Sequence, residues 1–99
     1  MLELHYTEKA ILDLDEIWFY IGSVKSSPTN AKRFLSKIKE TIELLTDFPL
    51  MGKERKELRA ELRSITHGNY IIFYSVTEEA VLIERVLEGH RNIEGLFEE

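Results

Sequence analysis

Leu62-Arg63-Ser64-Ile65-Thr66, His67-Gly68-Asn69, Tyr70-Ile71-Ile72-Phe73-Tyr74-Ser75-Val76, Thr77-Glu78-Glu79-Ala80 and Val81-Leu82-Ile83-Glu84-Arg85-Val86-Leu87 follow one another without a break. Three segments rich in β-branched and aromatic residues, separated by two short polar links, predict a three-stranded meander. Gly68 and Asn69 tolerate the positive φ that a tight hairpin needs. A four-residue second link sets Val76 opposite Val81 and Tyr74 opposite Ile83. On that register one sheet face carries Tyr70, Ile72, Tyr74, Val76, Val81, Ile83 and Leu87, interrupted by Arg85. The other carries Ile71, Phe73, Leu82 and Val86, with Ser75, Glu84 and Glu88. The first face is expected to take helices. The second would then be an uncovered apolar surface, which marks a partner site.

The helices lie upstream. Leu2, Leu4 and Tyr6 alternate with polar residues as in a strand with one buried face. Thr7 is placed to cap a helix, and Ala10, Leu14, Ile17, Trp18 and Ile21 form its apolar stripe, with Asp13 and Glu16 off it. Gly22-Ser23 ends that helix. Ser27-Pro28 starts a second one, because proline at the first helical position gives up a hydrogen bond it would not have made. Ala31, Phe34, Leu35, Ile38, Ile42 and Leu45 keep helical spacing until Asp47-Phe48-Pro49. So short a link implies an antiparallel helical hairpin.

The 99 residues, 43% apolar and 31% charged, suit one soluble α+β domain in the order strand, helix, helix, strand, strand, strand. Without cysteine there are no disulfides or thiolate metal sites. No stretch reaches the roughly 18 apolar residues of a membrane span, and a cytosolic protein is expected. A net charge of −5 opposes broad nucleic-acid binding. Between Lys53 and Arg63, five basic residues are mixed with three acidic ones, which reads as a solvated loop or turn. His5, His67 and His90 show no metal-ligand spacing, so no metal or cofactor is expected.

Several ordered elements carry a resemblance. They are Asp13-Leu14-x-x-Ile17-Trp18-x-Tyr20-Ile21, Ser27-Pro28-x-x-Ala31, Pro49-x-x-Gly52, Leu62-Arg63-Ser64, Arg85-Val86-Leu87 and the Gly89-His90-Arg91 corner before Phe97. Together they resemble the ParE toxins of the RelE/ParE superfamily, the toxic halves of bacterial toxin–antitoxin pairs. The resemblance runs from Tyr6 to Phe97. It implies a helical hairpin packed on an antiparallel meander, a ParD-like antitoxin as partner, and DNA gyrase as the inhibited target. The chain departs from the family at Glu88, His90 and Asn92, and in being acidic.

Messenger-RNA nucleases of the RelE type share this topology, and metal-free RNA cleavage needs a base, an acid and cations on the phosphorane. Where those nucleases commonly carry arginine, tyrosine and lysine, this chain has Ile71, Phe97 and Glu61. No catalytic residue is therefore assigned, and the chain reads as an inhibitor protein. RelE-type cleavage and a decayed toxin kept as an antitoxin-binding module are the alternatives. Target contacts are expected at Arg63, Arg85, His90, Arg91 and Phe97, and antitoxin contacts at Ile71, Phe73, Leu82 and Val86. For Arg85 a salt bridge to Asp13 or Glu16 is the competing role, since a charge on an apolar face must pair or reach water.

Overall fold

A computed structural model describes residues 1–89 and 93–97. The elements are β1 (Glu3–Tyr6), α1 (Glu8–Phe19), a π-helical turn (Tyr20–Val24), α2 (Pro28–Asp47), β2 (Lys53–Glu54), β3 (Arg63–His67), β4 (Tyr70–Val76), β5 (Ala80–Glu88) and α3 (Ile93–Phe97). The sheet order is β1-β5-β4-β3-β2. All neighbours are antiparallel except β1, which runs parallel to β5 at one edge. The expected α+β architecture is the observed one. The strand β2 and the helix α3 are additions that the sequence pattern did not yield.

Thr7 makes the turn from β1 into α1. Its backbone N–H bonds the Ile83 carbonyl at 3.0 Å, and its hydroxyl bonds the Glu84 carbonyl while accepting from the Ala10 N–H. One side chain thus caps a helix and occupies the strand edge that β1 leaves open. The π-turn and Ser26, at φ 52°, reverse the chain between the helices. Alanine at position 31 of α2 leaves room there, with no exposed surface of its own. Ala10 and Ile17 from α1 and Ile38, Ile42 and Leu45 from α2 then close on Ile72, Tyr74, Val81, Ile83 and Val86.

Val76 does face Val81, and Tyr74 does face Ile83. The next pair is Phe73 with Arg85, so Glu84 is an extra residue in β5, a β-bulge. Beyond it every β5 side chain changes face relative to a straight register. Val86, expected on the outer face, therefore lies in the helix-side core at 2% exposure, and Leu87 takes the outer side.

The expected α1 stripe is also rotated. Its buried residues are Ala10, Asp13 and Ile17, while Trp18 is 47% exposed. The cause is Asp13. Past β1 the edge of β5 has no strand partner, and the Asp13 carboxylate turns inward to accept the Val86 N–H at 2.9 Å. A buried amide must be satisfied, and here it sets the roll of the helix.

Candidate functional site

The outer sheet face is covered around Phe73. Phe73 has no exposed surface, and Leu62 and Leu87 retain 1% each. They cluster with Leu58, Ile71, Ile93, Leu96 and Phe97, most of which come from the loop before β3 and from α3. The Phe97 ring meets Phe73 edge-on at 4.9 Å, and the Arg55 guanidinium stands over Phe73 at 5.4 Å. The uncovered face expected for Ile71, Phe73, Leu82 and Val86 is thus corrected. Phe73 and Val86 are enclosed, and Ile71 and Leu82 are half-buried. An acidic substitution at Phe73 would disrupt packing within this chain before it reported on a partner.

Two of the expected target-contact arginines, Arg85 and Arg63, are engaged within the fold. Arg85 forms a two-point pair with Asp13, Nε to Oδ2 at 2.8 Å and Nη2 to Oδ1 at 2.9 Å. Its side chain is 15% exposed against 6% for Asp13, so the salt-bridge role holds for it. Arg63 instead donates to the Gly52 carbonyl at 2.7 Å and to Leu50, tying β3 to the Pro49–Gly52 turn. Phe97 and Arg85 border one small cleft with Thr7, Arg59 and Glu84. His90 and Arg91 lie outside the described residues.

The mixed-charge run does structural work in part. Arg55 bonds Ser64 and Glu57 beside Phe73, and Arg59 clamps Glu84 through two hydrogen bonds, one of 2.8 Å. Burial alone would raise the Glu84 carboxyl. The bonds from Arg59 and Ser75, with the charge of Arg59, hold it below the usual carboxylate range. Glu61 is exposed and Ile71 belongs to the outer apolar cluster. Phe97 is bound to Phe73 by its ring. Among the described residues no group of histidines and carboxylates is placed to hold a metal ion, and no helix is long and apolar enough to cross a membrane.

What the fold does expose is the outside of α1 and its extension. Ile11 is 49% exposed, Leu12 61%, Trp18 47% and Phe19 61%, followed by Tyr20 and Val24 in the π-turn. Large apolar side chains gathered along one helix are the surface a second protein would cover. The sequence held a signal for it. Ile11, Leu12 and Phe19 fall outside the Ala10–Leu14–Ile17 stripe, on what should be the wet side.

This fold has solved relatives. A chain from the chromosomal ParDE toxin–antitoxin system of P. aeruginosa superposes with a TM-score of 0.73 at 24% identity, covering 89% of this chain and 96% of that one. A chain of the E. coli DinJ-YafQ toxin–antitoxin complex gives 0.53 at 14% identity, with 88% and 91% covered. In sequence, the ParE1 toxin of Caulobacter vibrioides is 31% identical over 86 residues, 87% of this chain and 88% of its own. The ParE3 toxin of the same organism is 32% identical over 59 residues, 60% of this chain and 59% of its own. The sequence model of the family described as the ParE toxin of the type II toxin-antitoxin system parDE matches residues 4–93. With nearly the whole described fold inside that match, the chain belongs to the ParE toxin family of type II toxin–antitoxin systems.

Proposed function

We propose that this chain blocks DNA gyrase without any turnover of its own and is neutralised in the cytoplasm by a ParD-like antitoxin. The observation that carries the antitoxin half is the apolar outer face of α1 and the π-turn, in a chain of the ParE family. The similar P. aeruginosa chain comes from a ParDE system and the E. coli one from a toxin–antitoxin complex. A segment that folds on binding needs apolar anchors of this kind. Ile71 and Leu82, half-buried on the other face, remain secondary contacts. Replacing Phe19 by Asp should weaken antitoxin binding by about 1–3 kcal/mol, because an exposed anchor is lost and a charge is buried in its place. Isothermal titration measures the loss. An unchanged affinity would move the interface off α1.

The gyrase half rests on the family and on what stands at Ile71, Glu61 and Phe97. An isoleucine and a phenylalanine can neither bind phosphate nor transfer a proton, and a glutamate at an exposed position adds repulsion to a phosphate backbone. Expression without antitoxin should arrest growth, and the purified chain should inhibit supercoiling by gyrase with accumulation of cleaved DNA. Arg91→Ala should relieve the arrest while leaving the unfolding midpoint in place. Unaffected supercoiling at high soluble expression would discard the gyrase target. Codon-periodic cleavage of messenger RNA on ribosomes would replace it with the nuclease reading.

A further inference from the structure

One groove has no role so far. Where the π-turn meets the first two turns of α2, an open depression of about 810 Å3 is walled by Lys25, Arg33 and Lys37 and floored by Ile21 and Phe34. No carboxylate lines it. Among the described residues none of the three cations takes part in a salt bridge, although Lys25 stands over the Tyr20 ring at 5.5 Å. In a chain of net charge −5 this is a local reversal of sign, and it attracts an anion.

The groove does not stop there. Lys25, Ile21 and Phe34 also wall a second depression of about 310 Å3, shared with Tyr20, Tyr70 and Glu88. Tyr20, Tyr70 and Glu88 in turn border a third of about 240 Å3 that reaches Glu16. The three make one trough, cationic at the α2 end, aromatic in the middle and anionic at the Glu16–Glu88 end. Such polarity decides the class of ligand. A nucleic acid strand would carry phosphates onto Glu16 and Glu88, and two of the trough's rings already pack on each other, Phe34 against Tyr70, which leaves a poor platform for successive bases. A peptide can match both ends, with acidic side chains over Lys25, Arg33 and Lys37, an apolar residue against Tyr20, and a basic residue at Glu16 and Glu88.

We propose that this trough binds a charge-polarised peptide segment, acidic at one end and basic at the other, and that the antitoxin supplies it. The inference rests on the antitoxin reading above, and continuity of the surface supports it: Tyr20 belongs both to the trough and to the exposed apolar run of α1. The apolar run supplies affinity there, and the trough fixes direction and register, because like charges opposed across an interface exclude the reversed orientation.

The test uses the purified cognate antitoxin as probe and three forms of this chain: wild type, Lys25→Glu/Arg33→Glu/Lys37→Glu, and Glu16→Lys/Glu88→Lys. All five side chains are exposed, so the unfolding midpoint of the triple variant should stay at the wild-type value, and that of the double variant should fall only slightly, as Arg85 loses the attraction of Glu16. The triple variant should bind about tenfold or more weakly at low salt, mostly through slower association, with the difference shrinking as salt rises. The double variant should lose a comparable factor. Reversing the acidic residues of the antitoxin to lysine should restore binding to the triple variant and to no other form. Wild-type binding with an unchanged triple variant would overturn the trough and leave the antitoxin reading standing. No binding by wild type would overturn both. A single-stranded DNA 12-mer that binds wild type and is lost in the triple variant would make the groove a nucleic-acid site and overturn the peptide assignment.

Discussion

Replacing Asp13 by Ala should cost about 3–5 kcal/mol of stability. Asp13 is buried, and both of its oxygens are in use. They accept two bonds from the Arg85 guanidinium and one from the Val86 N–H. Removing the carboxylate strands a largely buried arginine and leaves a backbone amide unsatisfied at the one part of the β5 edge that no strand covers. A domain of this size holds about 5–15 kcal/mol in total, so the variant should be near the edge of folding. Urea denaturation would show the drop as a shifted midpoint. Asp13→Asn keeps an acceptor for Val86 and should lose less. A loss below about 1 kcal/mol for the alanine variant would mean that the pair does not hold α1 to the sheet.

Gly52→Ala should be the second most damaging change, at about 2–5 kcal/mol, and for a different reason. The glycine is required for space. A Cβ there would overlap the Tyr74 phenol, standing 2.6 Å from Cε1, and would lie 2.8 Å from the Ser64 carbonyl oxygen. The phenol cannot move aside freely. It accepts from the Gly52 N–H and donates to the Pro49 carbonyl, each at 2.8 Å. Burial pushes its pKa up, against the opposing effects of the Gly52 bond and of Arg63, so it stays a protonated donor. Overpacking costs about 1–3 kcal/mol, and the displaced hydrogen bonds add a comparable amount. Thermal unfolding beside Tyr74→Phe separates the two contributions, since that variant loses the bonds without the clash. Equal losses for the two variants would show that crowding at Gly52 contributes nothing.

This contact also gives the Pro49-x-x-Gly52 spacing its meaning. In the sequence it is a helix stop followed by a small residue. In the fold it is a clamp: the turn supplies a carbonyl and an N–H to Tyr74 of β4, and the Gly52 carbonyl receives Arg63 of β3. The residues were legible, but their partners lie 11 to 25 positions away. No local pattern reports that.

The sequence by itself determined the class of fold and most of its elements, because apolar periodicity is a local property. The hairpin of helices, the meander and the pairing of Val76 with Val81 all follow from spacing and turn residues. Its ordered short elements also pointed to the family. Only the tertiary structure decided which surface is free. The extra residue Glu84 in β5 sends Val86 inward and Leu87 outward, and α3 then closes the outer face over Phe73. Asp13, drawn in by an unpaired amide of β5, rolls α1 so that Trp18 turns out to water beside Phe19. The roll of α1 was decided by a backbone amide seeking a partner at a strand edge, and the outer face by a one-residue bulge and apolar packing from α3; strand edges and cross-strand registers exist only once the chain has folded.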